Sequence, residues 1–278
     1  MSFPSIYFDG YYRILSHTPS PDDDTPVFGE HFKSFDGSAL QEIDMSWQGN
    51  RILNQKSTQS CVGHATTAGM EILYKQRENV TKNFNPFFHY ALINGGTDDG
   101  AYISDSLKAV QQYGICETSA FPADRVYYKS SLTKAAYDNA ARYKLNKAYR
   151  CTTYNEVCQA LNLGFVVNIG ILVGSNFTRV DSEGIAPLPN GGGGGHSLLA
   201  CGLKKHSKYG WLVKLQNSWG SNFGQGGYCY TRKEHYDCYS KLDCFAFQGI
   251  IEDPLDKDKT DDVPVVKTWG IKHERRRS

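Results

Sequence analysis

The pattern of apolar positions in the first half of the chain predicts helices. A long helix should begin at Cys61 and run towards Glu78, because apolar residues recur at helical spacing after the cysteine. These residues are Val62, Ala65, Gly69, Ile72 and Leu73. Capping and stop signals predict three further helices. They begin at Pro86 behind the N-cap Asn85, at Ser104 or Asp105 with an end at Gly114, and at Thr153 with an end at Gly164.

The second half of the chain instead predicts strands. Short apolar runs bounded by glycines or polar turns occur at residues 165–173, 196–203, 210–216 and 226–232. Helices followed by strands favour an α+β fold with two lobes, a helical lobe at about 52–145 and a β lobe at about 146–252. Ligands bind preferentially in clefts between such lobes, so the functional site is expected there.

The two ends of the chain differ from the middle. Residues 1–43 are polar and irregular and are predicted to form an N-terminal extension, whereas residues 253–278 are predicted to form a charged tail. We expect that both extensions can bind protein partners. The net charge of +1 gives no reason to expect binding to nucleic acid or to a membrane. The chain opens without a signal-peptide pattern, which favours the cytoplasm or a viral particle.

The cysteine count bears on the compartment and on metals. The chain has 8 cysteines, a low number for a disulfide scaffold of this length, and a free nucleophile would leave an odd number to pair. A reducing compartment is therefore expected. A zinc site is the alternative for the group Cys229, His235, Cys238 and Cys244, but the tight spacing of zinc motifs is missing there. We expect neither a metal nor another cofactor.

Cys61 is the first candidate for chemistry. A cysteine at a helix N-terminus is near the positive end of the helix dipole, which favours the nucleophilic thiolate. His196 follows five glycines at the start of a strand, and Asn217 ends another strand, so the two could act as base and orienting group. Position alone leaves the alternatives open, which are a buried inert cysteine and a loop histidine without a role.

Three segments together are more specific than any single residue. They are QKSTQSCVGHA from Gln55, GGGHSLLACGL from Gly193 and QNSWGSNFGQGGYCY from Gln216. In this order they resemble the cysteine, histidine and asparagine motifs of papain-like cysteine peptidases. The resemblance extends from about Asp44 to Glu252 and implies the papain-like two-lobe fold with an antiparallel β lobe.

The resemblance also implies a role for each matching residue. Cys61 would be the nucleophile, His196 its base, Asn217 the residue that orients the base, and Gln55 an oxyanion donor together with the Cys61 N–H. Trp219 would shield the bond between His196 and Asn217. The residues expected to contact a peptide or protein substrate are Gly100, Ala101, Gly194, Gly195 and Trp219.

Some positions depart from the common family pattern. Thr58 replaces a cysteine that many secreted members pair in a disulfide, and the segment around Asp98 lacks its partner. Val62, Gly63 and His64 replace the usual Trp-Ala-Phe, which resembles the branch of the family found in bacteria and viruses. His64 is expected to pack on the catalytic helix. The extension is too short for a typical prosegment, so activity without its removal is also expected.

Two other functions compete with a peptidase. A papain scaffold can serve as a structural or interaction protein without catalysis, in a viral particle for example. A cell-wall amidase or acyl transferase also uses cysteine and histidine. Those enzymes usually orient the histidine with aspartate or histidine, so the asparagine motif at Asn217 argues against them.

Overall fold

The computed structural model describes residues 3–32, 39–49, 51–191, 193–238 and 242–251. The predicted C-terminal tail, 253–278, lies outside these ranges. The described residues have the predicted α+β composition, with helices concentrated before residue 141 and the main sheet after it.

The described ranges contain seven α-helices, and the predicted ones are among them. They are α1 (Phe28–His31), α2 (Cys61–Glu78), α3 (Pro86–Ile93), α4 (Ile103–Tyr113), α5 (Lys134–Ala140), α6 (Tyr154–Asn162) and α7 (Lys233–Asp237). The Asn85 side chain caps α3 by accepting from the N–H groups of Phe87 and Phe88, as predicted. The predicted cap of α4, Ser104 or Asp105, was wrong. The N-cap is Tyr102, and the helix begins at Ile103. α4 does end at Gly114, whose φ of +80° suits glycine.

The β half is one antiparallel sheet of seven strands. Its strands, after the N-terminal β1 (Ser5–Phe8) and β2 (Tyr11–Ile14), are β3 (Ile43–Asp44), β4 (Lys144–Cys151), β5 (Val166–Val173), β6 (Gly194–His206), β7 (Gly210–Gln216), β8 (Tyr228–Thr231) and β9 (Asp243–Ile251). The order is β4-β9-β5-β6-β7-β8, and β3 pairs with β6. This pairing places β6, which carries His196, at the centre of the sheet.

Helix α2 packs directly on this sheet. Every residue from Cys61 to Tyr74 is buried, so the helix forms the shared core of both halves. A side chain at Gly69 would collide with the ring of Phe247 on β9, so glycine permits the close approach. The helix therefore presents its first residue, Cys61, at the junction of the helices and the sheet.

The N-terminal extension has more structure than its polar composition indicated. β1 and β2 form an antiparallel hairpin. Its two turn residues, Asp9 and Gly10, have φ values of +51° and +80°, as the common two-residue hairpin turn requires. The interpretation of this stretch as irregular was wrong, although Asp-Gly is a strong hairpin signal. Residues 3–20 are called the arm below.

None of the described helices is long and apolar enough to cross a membrane. All eight cysteines fall within the described ranges, and each is a free thiol there. The compartment stays a prediction.

Candidate active site

Cys61 is the first residue of α2, at the predicted helix N-terminus. Its side chain is 1% exposed. The backbone N–H groups of Ser197, Val62 and Cys61 itself point to the sulfur and favour the thiolate. Because Ser197 directly follows His196 on β6, this contact places the thiol beside the predicted base.

His196 is held by Asn217 in one orientation. The His196 Nε2 lies 2.9 Å from Asn217 Oδ1, and the same oxygen accepts from the Ser218 N–H at 2.8 Å. An amide oxygen only accepts hydrogen bonds, so Nε2 carries the proton and a neutral ring has its lone pair on Nδ1. This Nδ1 is buried and has no hydrogen-bond partner among the described residues. His196 therefore presents a free base nitrogen.

Trp219 covers the bond between His196 and Asn217, as the resemblance implied. Its ring lies 4.9 Å from the His196 ring at an interplanar angle of 30°. The indole is fully buried. This cover excludes water from the bond, which strengthens it.

Gln55 is fixed by two hydrogen bonds. The Ser218 hydroxyl donates to Gln55 Oε1 at 2.6 Å, and Gln55 Nε2 donates to the Thr58 carbonyl at 2.8 Å. A primary amide has two N–H groups, so one remains for a substrate oxygen. Sequence reasoning gave Ser218 no role, although the residue stands between Asn217 and Trp219 in the asparagine motif. The structure assigns it the orientation of the Gln55 amide.

The arm lies across this site. The Leu15 side chain packs against Gly194, Ser16 lies against Gly100, and the His17 N–H donates to the Gly195 carbonyl at 3.1 Å. Gly100, Gly194 and Gly195, predicted to contact substrate, therefore contact a segment of the chain itself. Ala101, also predicted to contact substrate, packs against the hydrophobic core instead.

Arg13 anchors the arm at the other end of the site. Its guanidinium donates to Asn54 Oδ1 at 2.7 Å, to the Lys56 carbonyl at 3.1 Å and to the Trp219 carbonyl at 3.3 Å. The side chain is fully buried, and it also lies over the ring of Tyr11 at 4.9 Å. Three hydrogen bonds to a buried cation make this a strong attachment.

Burial sets the charge state of the pair. Desolvation raises the pKa of Cys61 to about 11, despite the N–H groups of Ser197, Val62 and Cys61. Desolvation also lowers the pKa of His196 to about 4, although the bond to Asn217 acts in the opposite direction. Between these values the covered site holds a neutral thiol and a neutral imidazole. The thiolate that the helix dipole favours is therefore absent from this covered form.

Two positions that depart from the family pattern have structural explanations. His64 packs edge-on against Phe87 at 5.2 Å, and its Nδ1 lies 2.9 Å from the Ser60 carbonyl, as expected for a residue of the catalytic helix. Near Thr58, the N–H and the side-chain amide of Gln59 both donate to Asp98. Hydrogen bonds thus join the two segments where secreted members have a disulfide.

No group of three or more metal-binding side chains occurs in the described ranges, which include Cys229, His235, Cys238 and Cys244. The site residues offer one thiol, one imidazole and two amides. This donor set suits acyl transfer through a cysteine.

Comparisons with known proteins agree with this geometry. The sequence pattern of papain family cysteine proteases matches residues 41–246. An uncharacterized peptidase C1-like protein of Acanthamoeba polyphaga mimivirus is 30% identical over 145 residues, 47% of this chain and 46% of the viral protein. The match therefore spans about half the length of that relative.

Two solved structures share the fold. Xylellain, a cysteine protease from Xylella fastidiosa, has a TM-score of 0.71 at 20% identity, covering 89% of this chain and 97% of xylellain. Bromelain from Ananas comosus has a TM-score of 0.58 at 16% identity, covering 75% and 98%. The viral relative agrees with the branch expected from the residues after Cys61. The chain belongs to the papain family of cysteine proteases.

Proposed function

We propose that this chain is a cysteine peptidase. The observation that carries the proposal is the arrangement around His196, which is held by Asn217 with its Nδ1 free and directly precedes Ser197, whose N–H points to the Cys61 sulfur. In the proposed reaction the thiol proton moves to Nδ1 and the sulfur attacks the scissile carbonyl. Gln55 Nε2 and the Cys61 N–H receive the developing oxyanion. His196 then protonates the leaving amine, and water hydrolyses the acyl-enzyme.

We further propose that the arm blocks this reaction in the intact chain. The arm occupies the glycines that would contact a substrate, and both reacting side chains are buried in this form. This placement argues against our expectation that the chain is active with its N-terminal extension in place. Displacement of the arm would admit water and substrate together. It would also remove the desolvation that keeps Cys61 and His196 neutral.

Weakening the arm is expected to increase activity. Leu15 is 2% exposed, and loss of its buried side chain in Leu15→Ala should destabilise the docked arm by about 2–3 kcal/mol. The population with an open site should then rise by roughly 30- to 150-fold. The measurement is hydrolysis of a fluorogenic peptide at low substrate concentration, with the melting temperature recorded to verify folding.

Tyr12→Ala is the matched control, because Tyr12 is on the same arm but is 63% exposed. It should leave the hydrolysis rate close to that of the unchanged chain. Equal rates in Leu15→Ala, Tyr12→Ala and the unchanged chain would contradict the blocking role of the arm. A thiol-reactive epoxide of the papain-inhibitor type should abolish the activity of Leu15→Ala, whereas a non-catalytic scaffold would have no activity to lose.

The pH dependence of Cys61 alkylation should differ between the covered and open forms. A thiol with a raised pKa stays protonated at neutral pH, so alkylation in the unchanged chain should keep rising up to about pH 11. In Leu15→Ala the thiolate and imidazolium can form, so alkylation should already be substantial at pH 6–7. Peptide mapping after iodoacetamide treatment at each pH measures the extent of Cys61 alkylation. The exposed Cys238 is the internal control. Identical pH profiles for Cys61 in both chains would refute the difference.

A further inference from the structure

A chain of hydrogen bonds between buried polar side chains begins beside the catalytic residues and runs into the helical half of the molecule. It joins five different elements through Ser197 on β6, Asn168 on β5, Thr66 on α2, Ser106 on α4 and His89 on α3. All five side chains are fully buried. Polar groups at such depth are normally paired, and here they are paired with one another. These five residues are called the Asn168 network below.

Asn168 is the centre of the network. Its Oδ1 accepts from the Ser197 hydroxyl at 2.6 Å, and its Nδ2 donates to Thr66 Oγ1 at 2.8 Å. The hydroxyl oxygens of Thr66 and Ser106 lie 2.7 Å apart, and Ser106 Oγ lies 2.7 Å from His89 Nε2. Each of these distances is that of a good hydrogen bond, so the chain of contacts is continuous from β6 to α3.

The network connects the two elements that carry the catalytic pair. Ser197 directly follows His196 on β6, and its N–H points to the Cys61 sulfur. Thr66 lies on α2, the helix that begins with Cys61. Asn168 bonds to both Ser197 and Thr66, so a single amide links the strand of the base to the helix of the nucleophile.

The chemistry of the network favours orientation over proton transfer. An amide nitrogen holds its protons firmly, so Asn168 interrupts any proton path between Ser197 and Thr66. Burial lowers the pKa of His89 to about 3, so this ring is neutral near neutral pH, as are the amide and the three hydroxyls. Buried chains of hydrogen bonds rigidify the groups that they join.

We propose that Thr66 and Asn168 are positioning residues, which hold α2 and β6 at the separation at which the Cys61 proton can reach His196 Nδ1. The inference rests on the proposed peptidase function and adds residues that act on the catalytic pair without contacting substrate. Misplacement of reacting groups by about 1 Å can lower a rate by about 100-fold. Loss of the Thr66 hydroxyl should therefore lower kcat by roughly 10- to 100-fold and leave KM nearly unchanged.

The test is Thr66→Val in the full chain carrying Leu15→Ala, because valine has nearly the shape of threonine without the hydroxyl. Thr67→Val is the matched control. Thr67 is the next residue of α2 and is equally buried, but its hydroxyl has no hydrogen-bond partner among the described residues. Thr66→Ser keeps the hydroxyl and should restore kcat. Steady-state hydrolysis of a fluorogenic peptide gives kcat and KM separately, and the melting temperature reports on folding.

The pH dependence of Cys61 alkylation is a readout that a merely structural role would not change. In the Leu15→Ala parent, formation of the thiolate and imidazolium should make alkylation substantial at about pH 6–7. Thr66→Val should weaken this pair, so alkylation should begin at a higher pH. Thr66→Ser and Thr67→Val should both follow the parent.

The inference requires both changes in Thr66→Val, the lower kcat and the shifted alkylation profile. If either is missing, or if Thr67→Val shows the same losses, the inference is overturned and the peptidase stands. A parent that neither hydrolyses peptide nor reacts with the papain-type epoxide overturns both. If Thr66→Val does not fold, Ser197→Ala breaks the network at its other end. The same two changes in that variant support the inference, and their absence refutes it.

Discussion

Cys61→Ala is expected to lower peptide hydrolysis by roughly five orders of magnitude or more, because loss of a nucleophile removes the covalent route altogether. Cys61 is the first residue of α2, and its thiol lies against Ser197. Alanine only removes the sulfur and keeps the β-carbon, so it should fit without disturbing the helix. Hydrolysis is best measured in the Leu15→Ala background, where the arm is weakened and the starting rate is high.

The control for this substitution is Cys238→Ala, which removes an exposed thiol and should leave the rate unchanged. An unchanged melting temperature in Cys61→Ala would show that the fold is retained. Residual hydrolysis in Cys61→Ala close to that of the parent would rule out Cys61 as nucleophile, and with it the proposed mechanism.

Gln55→Ala is expected to slow hydrolysis by about 100- to 1000-fold, the usual loss for one oxyanion donor. The amide is held by Ser218 and Thr58 before any substrate binds, so its free N–H is preorganised. Alkylation of Cys61 by iodoacetamide involves no oxyanion and should be nearly unchanged. The two rates measured on one variant therefore separate oxyanion binding from thiol reactivity.

Ser218→Ala should give a smaller loss than Gln55→Ala, because the amide remains but its orientation is no longer fixed. Gln111→Ala, an exposed glutamine on α4, is the matched control and should be neutral. A Gln55→Ala variant that loses alkylation and hydrolysis to the same extent would point to disruption of the Cys61 environment instead.

The sequence was sufficient for the parts of the site that depend on local signals. The start of α2 at Cys61, the cap Asn85 and the strands that carry His196 and Asn217 each follow from neighbouring residues, and they lie where predicted. The family resemblance then indicated which of these ends meet. The resemblance gave no distances between these residues. The fold brings them together because β6 lies at the centre of the sheet.

The covering of the site could not be predicted in this way. Leu15 and His17 meet Gly194, Gly195 and Asp243, residues far away along the chain, and such contacts leave no periodic pattern in a polar segment. Burial of the catalytic pair in the folded chain also reverses its expected charge state. Helix dipole and neighbouring N–H groups favour a thiolate, but desolvation by burial is the larger effect.

The attachment of the arm has a kinetic consequence. The arm precedes α2 in the same polypeptide, and Arg13 ties it to the paired residues Asn54 and Trp219. A tethered ligand of this kind has an effective concentration on the order of millimolar, independent of how dilute the protein is. Dilution therefore cannot free the cleft. In the proposed peptidase, a substrate would have to compete with a constant local concentration of the arm, which would raise the apparent KM of the intact chain without changing the chemical step itself.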